Sequence, residues 1–103
     1  MSGRRSRLEI ILSILSAVRD GVDKPTRIMY AANMSWNSTQ ELLERLVLEG
    51  HLNVTEERTE KKSKKRYVIT EKGANVLDYF EKANEVLPKD AYADLYSARA
   101  VPG

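Results

Sequence analysis

From Arg5 to Asp20 the apolar positions Leu8, Ile11, Leu12, Leu15 and Val18 recur at three- and four-residue intervals, which predicts one face of a helix. Ile10, Ile14 and Ala17 form a second stripe beside it, so the helix is apolar over more than half its circumference. Such a helix is either central to a core or shared with a partner. Ser6 is placed to cap its start and Gly21 to close its end, with Arg19 near the negative end of the helix dipole. Asp23-Lys24-Pro25 is a second start signal, because proline is preorganised for the first helical position and needs no amide partner there. It predicts a short helix to Asn33 with Ile28, Met29 and Ala32 inward. Ser35 can cap a third helix that runs to about Glu49 and stops at Gly50. Its inward residues are Thr39, Leu42, Leu43, Leu46 and Val47, while Asn37, Gln40, Glu41, Glu44 and Arg45 point outward.

Beyond Gly50 the period changes. His51 to Thr55 alternates, and Lys65 to Ile69 is a second short run rich in β-branched and aromatic residues, so the pair predicts a β-hairpin. The polar stretch Glu56 to Lys64 would be its long charged tip. Thr70 then caps a fourth helix from about Glu71, with Ala74, Val76, Leu77, Phe80, Ala83 and Leu87 apolar, and Pro88 ends or kinks it. Asp90 to Arg99 can form another short helix carrying Tyr92, Leu95 and Tyr96 on one side, before a frayed Val101-Pro102-Gly103. The expectation is a mostly α chain with one β-hairpin (α+β). The order helix, helix, helix, hairpin, helix is that of a winged helix-turn-helix over residues 5–70, followed by a C-terminal helix over 71–87 and a tail over 88–103.

Composition narrows the chemistry. With 103 residues and no Cys there is room for one small domain and no disulfide or thiolate-zinc scaffold. Basic residues precede the first apolar stretch, but Glu9, Ser13 and Arg19 interrupt it, so neither a signal peptide nor a membrane span is read and a cytoplasmic protein is expected. One His and no Cys leave little from which to build a nucleophilic dyad or a zinc site, and no Gly-rich phosphate loop is present. His51 reads as half-buried at a strand start, and Glu41 and Glu44 as a solvated face. We therefore expect no enzyme, no metal or cofactor and no small-molecule substrate.

Charge points to a partner. The net +2 conceals a local excess, because residues 51–70 carry six basic and three acidic groups. Arg58, Lys61, Lys62, Lys64, Lys65 and Arg66 crowd nine positions, a density that suits phosphate. Acids precede the turn and bases follow it. The first turn of the third helix offers Ser35, Asn37, Ser38 and Gln40, residue types that bond phosphates or base edges, while Lys24 and Arg27 can hold the preceding helix on the backbone. Trp36 has two readings, a wedge or stack against DNA and a staple packed over the core. The acidic Glu41, Glu44 and Glu49 keep the rest of that helix away from phosphate, so only its first turn should approach.

Three runs carry a resemblance: Pro25 to Ser35, Leu43 to Leu52 with its Glu-Gly-His-Leu ending, and Tyr67-Val68-Ile69-Thr70-Glu71-Lys72-Gly73. Over residues 5–87 the chain resembles small archaeal winged-helix DNA-binding proteins of the chromatin-associated or regulator-like type. The resemblance implies binding to double-stranded DNA, a nucleoid-associated location and a homodimer joined by a C-terminal coiled coil. This sequence departs from that pattern at Leu87-Pro88, which interrupts the fourth helix. Val76, Phe80, Ala83 and Leu87, with Ile10 and Ile14 of the first helix, nevertheless offer more apolar surface than a three-helix core should consume, which predicts a twofold contact. In the competing arrangement residues 90–99 fold back over the same stripe. The competing function is a protein-interaction module that docks a subunit of a larger assembly.

Overall fold

The computed structural model describes residues 6–86. The elements are α1 (Arg7–Arg19), α2 (Pro25–Ala32), α3 (Trp36–Leu48), β1 (Leu52–Arg58), β2 (Ser63–Ile69) and α4 (Glu71–Val86). Each helix begins where its cap signal stands. Ser6 and Glu9 form a reciprocal capping box at α1, with the Glu9 amide donating to Ser6 Oγ at 3.1 Å and the Ser6 amide donating to Glu9 Oε1 at 3.0 Å. At α3 the Ser38 amide donates to Ser35 Oγ at 3.2 Å. The exit of α2 is left-handed at Asn33 (φ 56°), where the Met34 amide reaches back to the Met29 carbonyl at 3.1 Å. Gly50 (φ 86°) plays the same part after α3, and the His51 amide donates to the Leu46 carbonyl at 2.8 Å.

The core gathers Ile14, Leu15 and Val18 of α1, Ile28 and Ala32 of α2, Leu42, Leu43 and Leu46 of α3, Leu52 and Tyr67 of the hairpin, and Leu77 of α4. Thr39, also fully buried, satisfies its hydroxyl by donating to the Ser35 carbonyl at 2.8 Å. The start of α4 is lashed to the end of α3: the Thr70 hydroxyl donates to the Gly50 carbonyl at 2.6 Å, accepts from the Gly73 amide at 3.1 Å, and Lys72 Nζ donates to the Glu49 carbonyl at 2.7 Å. Farther along, Arg19 of α1 grips Glu81 of α4 with two bonds of 3.0 and 2.9 Å.

Two expectations are corrected. The hairpin has no long charged tip. Its strands run seven residues each in antiparallel register from Leu52↔Ile69 to Arg58↔Ser63, and only Thr59 to Lys62 turn the chain. The register sets Glu56 opposite Lys65 and Glu57 opposite Lys64, so opposite-charge cross-strand pairs favour strand where composition alone suggests loop. Ile14 offers nothing to a partner chain: it is wholly buried, because α2, β2 and α4 all pack on α1. Ile10 is partly buried against the same core. On α4 the buried positions are Gly73 and Leu77, and Val76, Phe80 and Ala83 are half-buried. Leu87, Arg5, the 88–103 tail and its expected short helix lie outside the described residues. No helix of the described residues is long and apolar enough to cross a membrane.

Candidate nucleic-acid interface

Two local features aim the first turn of α3 outward. Ser35 caps the helix from an extended conformation (φ −73°, ψ 161°), and buried Thr39 pins the next turn to the core. Asn37 and Ser38 are consequently exposed, and Trp36, at the first helical position, remains 41% exposed. The staple expectation for Trp36 is thereby corrected: Leu42, Leu43 and Leu46 fill the core beneath α3 and the indole stays at its edge. Lys24 precedes Pro25 at the start of α2, with its side chain free of any capping bond to the helix.

The hairpin is docked beside these two helix starts. The Tyr67 amide donates to the Asp23 carbonyl at 3.0 Å, and Arg66 pairs with Asp23 at 3.4 Å, so β2 is bound to the segment that leads into α2. Between α2, α3 and β2 lies a groove of about 410 Å³. Of the residues anticipated from sequence, Lys24, Trp36, Gln40, Lys64, Lys65 and Arg66 line it together. Pro25, Thr26, Leu43, Ser63 and Tyr67 also line it and were not anticipated. Tyr67 could have been found from strand alternation, which puts it on the same face as Ile69. The remaining anticipated residues lie elsewhere. Ser38 faces a separate depression with Arg7, Ile10, Met34, Glu41 and Leu42. Arg27 is exposed on α2, Asn37 on α3, Arg58 at the end of β1, and Lys61 and Lys62 at the turn.

Cross-strand pairing alters the electrostatics expected of the wing. Glu56 accepts a hydrogen bond from the Ser63 hydroxyl and pairs with Arg58 at 3.4 Å. The Ser63 bond, helped by Arg58 and Lys65, holds the Glu56 carboxyl below its ordinary range, so it stays ionised and offsets those two cations. Burial pushes the Tyr67 phenol up, and Glu44 and Glu56 reinforce the shift, so its hydroxyl stays protonated. Among the described residues, Lys61, Lys62 and Lys64 make no ion pair, nor do Lys24 and Arg27. The freely presented positive charge therefore sits at the wing tip and the start of α2, more than along the whole hairpin. His51 is half-buried as expected, with Nδ1 lacking a hydrogen-bond partner among the described residues. No group of three His, Cys, Asp or Glu side chains among the described residues is placed to hold a metal ion.

The winged helix-turn-helix family model matches residues 4–87. An uncharacterized protein of Methanocaldococcus jannaschii is 30% identical over 84 residues, spanning 82% of this chain and 78% of that protein. Among solved structures, Sso10a-2, a DNA-binding protein from Sulfolobus solfataricus, superimposes with a TM-score of 0.66 at 30% identity, covering 93% of this chain and 90% of the other. The transcriptional regulator Tm0710 from Thermotoga maritima shares the fold, with a TM-score of 0.57 at 21% identity over 84% of this chain and 66% of its own. Match, element order and docked hairpin agree, and this chain belongs to the winged helix-turn-helix family, in a small archaeal form.

Proposed function

We propose that the chain is a non-enzymatic DNA-binding protein of the nucleoid, a regulator or an architectural protein. The first turn of α3 approaches the major groove and the wing tip and α2 start hold phosphates. One observation carries this reading: three elements distant in sequence converge so that Lys24, Gln40, Lys64, Lys65 and Arg66 share one groove, with Asn37 exposed on the adjoining helical turn. The similarity to a Sulfolobus protein that binds DNA supports it. The acidic Glu41 and Glu44 are exposed on the next turns of α3, which limits approach to its N-terminal end and favours modest sequence preference.

Gln40→Ala together with Asn37→Ala tests the readout. On a preferred site the pair should cost about 1–3 kcal/mol, and far less on random duplex. Equal losses on both, measured by fluorescence anisotropy, would mean that these side chains only position the protein. For assembly we propose a homodimer through α4, where Tyr79 and Val86 are exposed beside half-buried Val76, Phe80 and Ala83. A protein-docking role is favoured by a different observation, Leu48, which is 86% exposed on α3 beside Glu44 and Glu49. A module of that kind would leave duplex DNA unbound even at low salt.

A further inference from the structure

Trp36 is the only tryptophan in the chain, and it stands at the edge of the core. It is 41% exposed, and no aromatic ring stands against it among the described residues, where the one ring pair is Tyr79 with Phe80. A single exposed ring would need no explanation, but this one lines a groove whose other walls are apolar and cationic, where a planar partner can stack on it. The rest of the groove says what kind. Its apolar lining is Pro25, Leu43 and Tyr67, its rim carries Lys24, Lys64 and Lys65, and Thr26, Gln40 and Ser63 supply hydrogen-bonding groups between. About 410 Å³ is room enough for a ligand of small-molecule size. An intact duplex uses the cations and hydrogen-bonding groups but leaves the ring and apolar walls idle, because its base faces are stacked on one another and only edges and phosphates are offered. A base outside the stack presents an apolar face, polar edges and a phosphate on either side, matching ring, hydrogen-bonding groups and cations.

Resting on the DNA-binding reading above, we infer that this groove takes one unpaired nucleobase stacked on Trp36, with its flanking phosphates held by Lys24, Lys64 and Lys65. The protein then prefers DNA that is single-stranded or carries an extruded base over a perfectly paired duplex. The preference comes from stacking, so it tolerates any base.

The test uses the whole chain and three probes: a thymidine oligonucleotide, a duplex with one bulged thymine, and the same duplex fully paired. Because Trp36 is the only tryptophan, its fluorescence, excited at the red edge where the five tyrosines do not absorb, reads the groove directly. The oligonucleotide and the bulged duplex should quench it, and the bulged duplex should bind about fivefold or more tighter than the paired one. In Trp36→Ala the affinities for bulged and paired duplex should converge, and in Trp36→Phe most of the difference should return; far-ultraviolet circular dichroism checks that both variants are folded. Equal affinity of the unmodified protein for bulged and paired duplex would overturn the inference and leave duplex binding standing. So would a bulge preference that survives in Trp36→Ala, since flexibility of the DNA would then be its source. Absence of binding to all three probes at low salt would overturn both this inference and the DNA-binding reading beneath it.

Discussion

Gly73→Ala is expected to lower the unfolding free energy by about 2–3 kcal/mol, although the substitution improves helix propensity by roughly 1 kcal/mol. The two effects oppose each other and geometry decides between them. A Cβ at position 73 would lie 2.3 Å from the His51 carbonyl oxygen and 3.0 Å from Ile69 Cγ1. The first of these is backbone that has no room to yield: the His51 carbonyl accepts from the Thr70 amide at 3.1 Å, and the His51 amide is held by Leu46 at 2.8 Å. Relief would require α4 to lift from the α3–β1 corner, breaking the Thr70 bridge to Gly50 and Gly73. For a domain this small the loss is a large share of its stability. Urea denaturation measures it. A midpoint equal to that of the unmodified protein would mean that α4 shifts freely at its start and that the close approach does not fix its position.

The second large effect concerns binding. Changing Lys61, Lys62, Lys64 and Lys65 together to Ala should weaken association with every duplex to a similar degree and flatten the dependence of log K on log salt by about 0.9 for each phosphate no longer neutralised. Thermal stability should fall only slightly, since the two cross-strand charge pairs lost with Lys64 and Lys65 are worth roughly 0.2–1 kcal/mol each. Lys61, Lys62 and Lys64 are exposed, Lys65 is only half-buried, and the register of the hairpin is set by backbone pairing and by Leu52, Tyr67 and Ile69 at its base. Because Glu56 offsets Lys65 and Glu57 stands opposite Lys64, the tip pair Lys61 and Lys62 should account for most of the change. A slope left unaltered in the fourfold variant would remove the wing from the phosphate-binding surface.

The helices were legible because each carries both a period and local punctuation: Ser6, Pro25, Ser35 and Thr70 at the starts, Gly21, Asn33 and Gly50 at the exits. The hairpin was legible in existence and too short in extent. Glu56, Glu57, Arg58, Lys64 and Lys65 have weak strand preference on their own, and what keeps them in strand is a partner across the ladder, which no local window contains. The same limit explains Ile14. A helical wheel identifies it as surplus apolar surface, whereas α1 is enclosed by α2, β2 and α4 and consumes that surface itself. Leu77, one of the six apolar positions expected on the fourth helix, is the α4 side chain buried in the core. Half of the groove lining was found from residue type, as with Lys24, Gln40 and Lys64. Ser63 and Thr26 were not, since they enter only when Asp23 brings β2 against the start of α2.

Binding of DNA by this winged helix-turn-helix chain, through phosphate-directed cations at the wing and α2, is tested most directly by equilibrium titration of the unmodified protein with a random-sequence duplex over a series of salt concentrations. The expected result is binding at low salt and a linear fall of log K with log salt, with a slope of about −0.9 per phosphate neutralised. Failure to bind at low salt, or an affinity indifferent to salt, would contradict it.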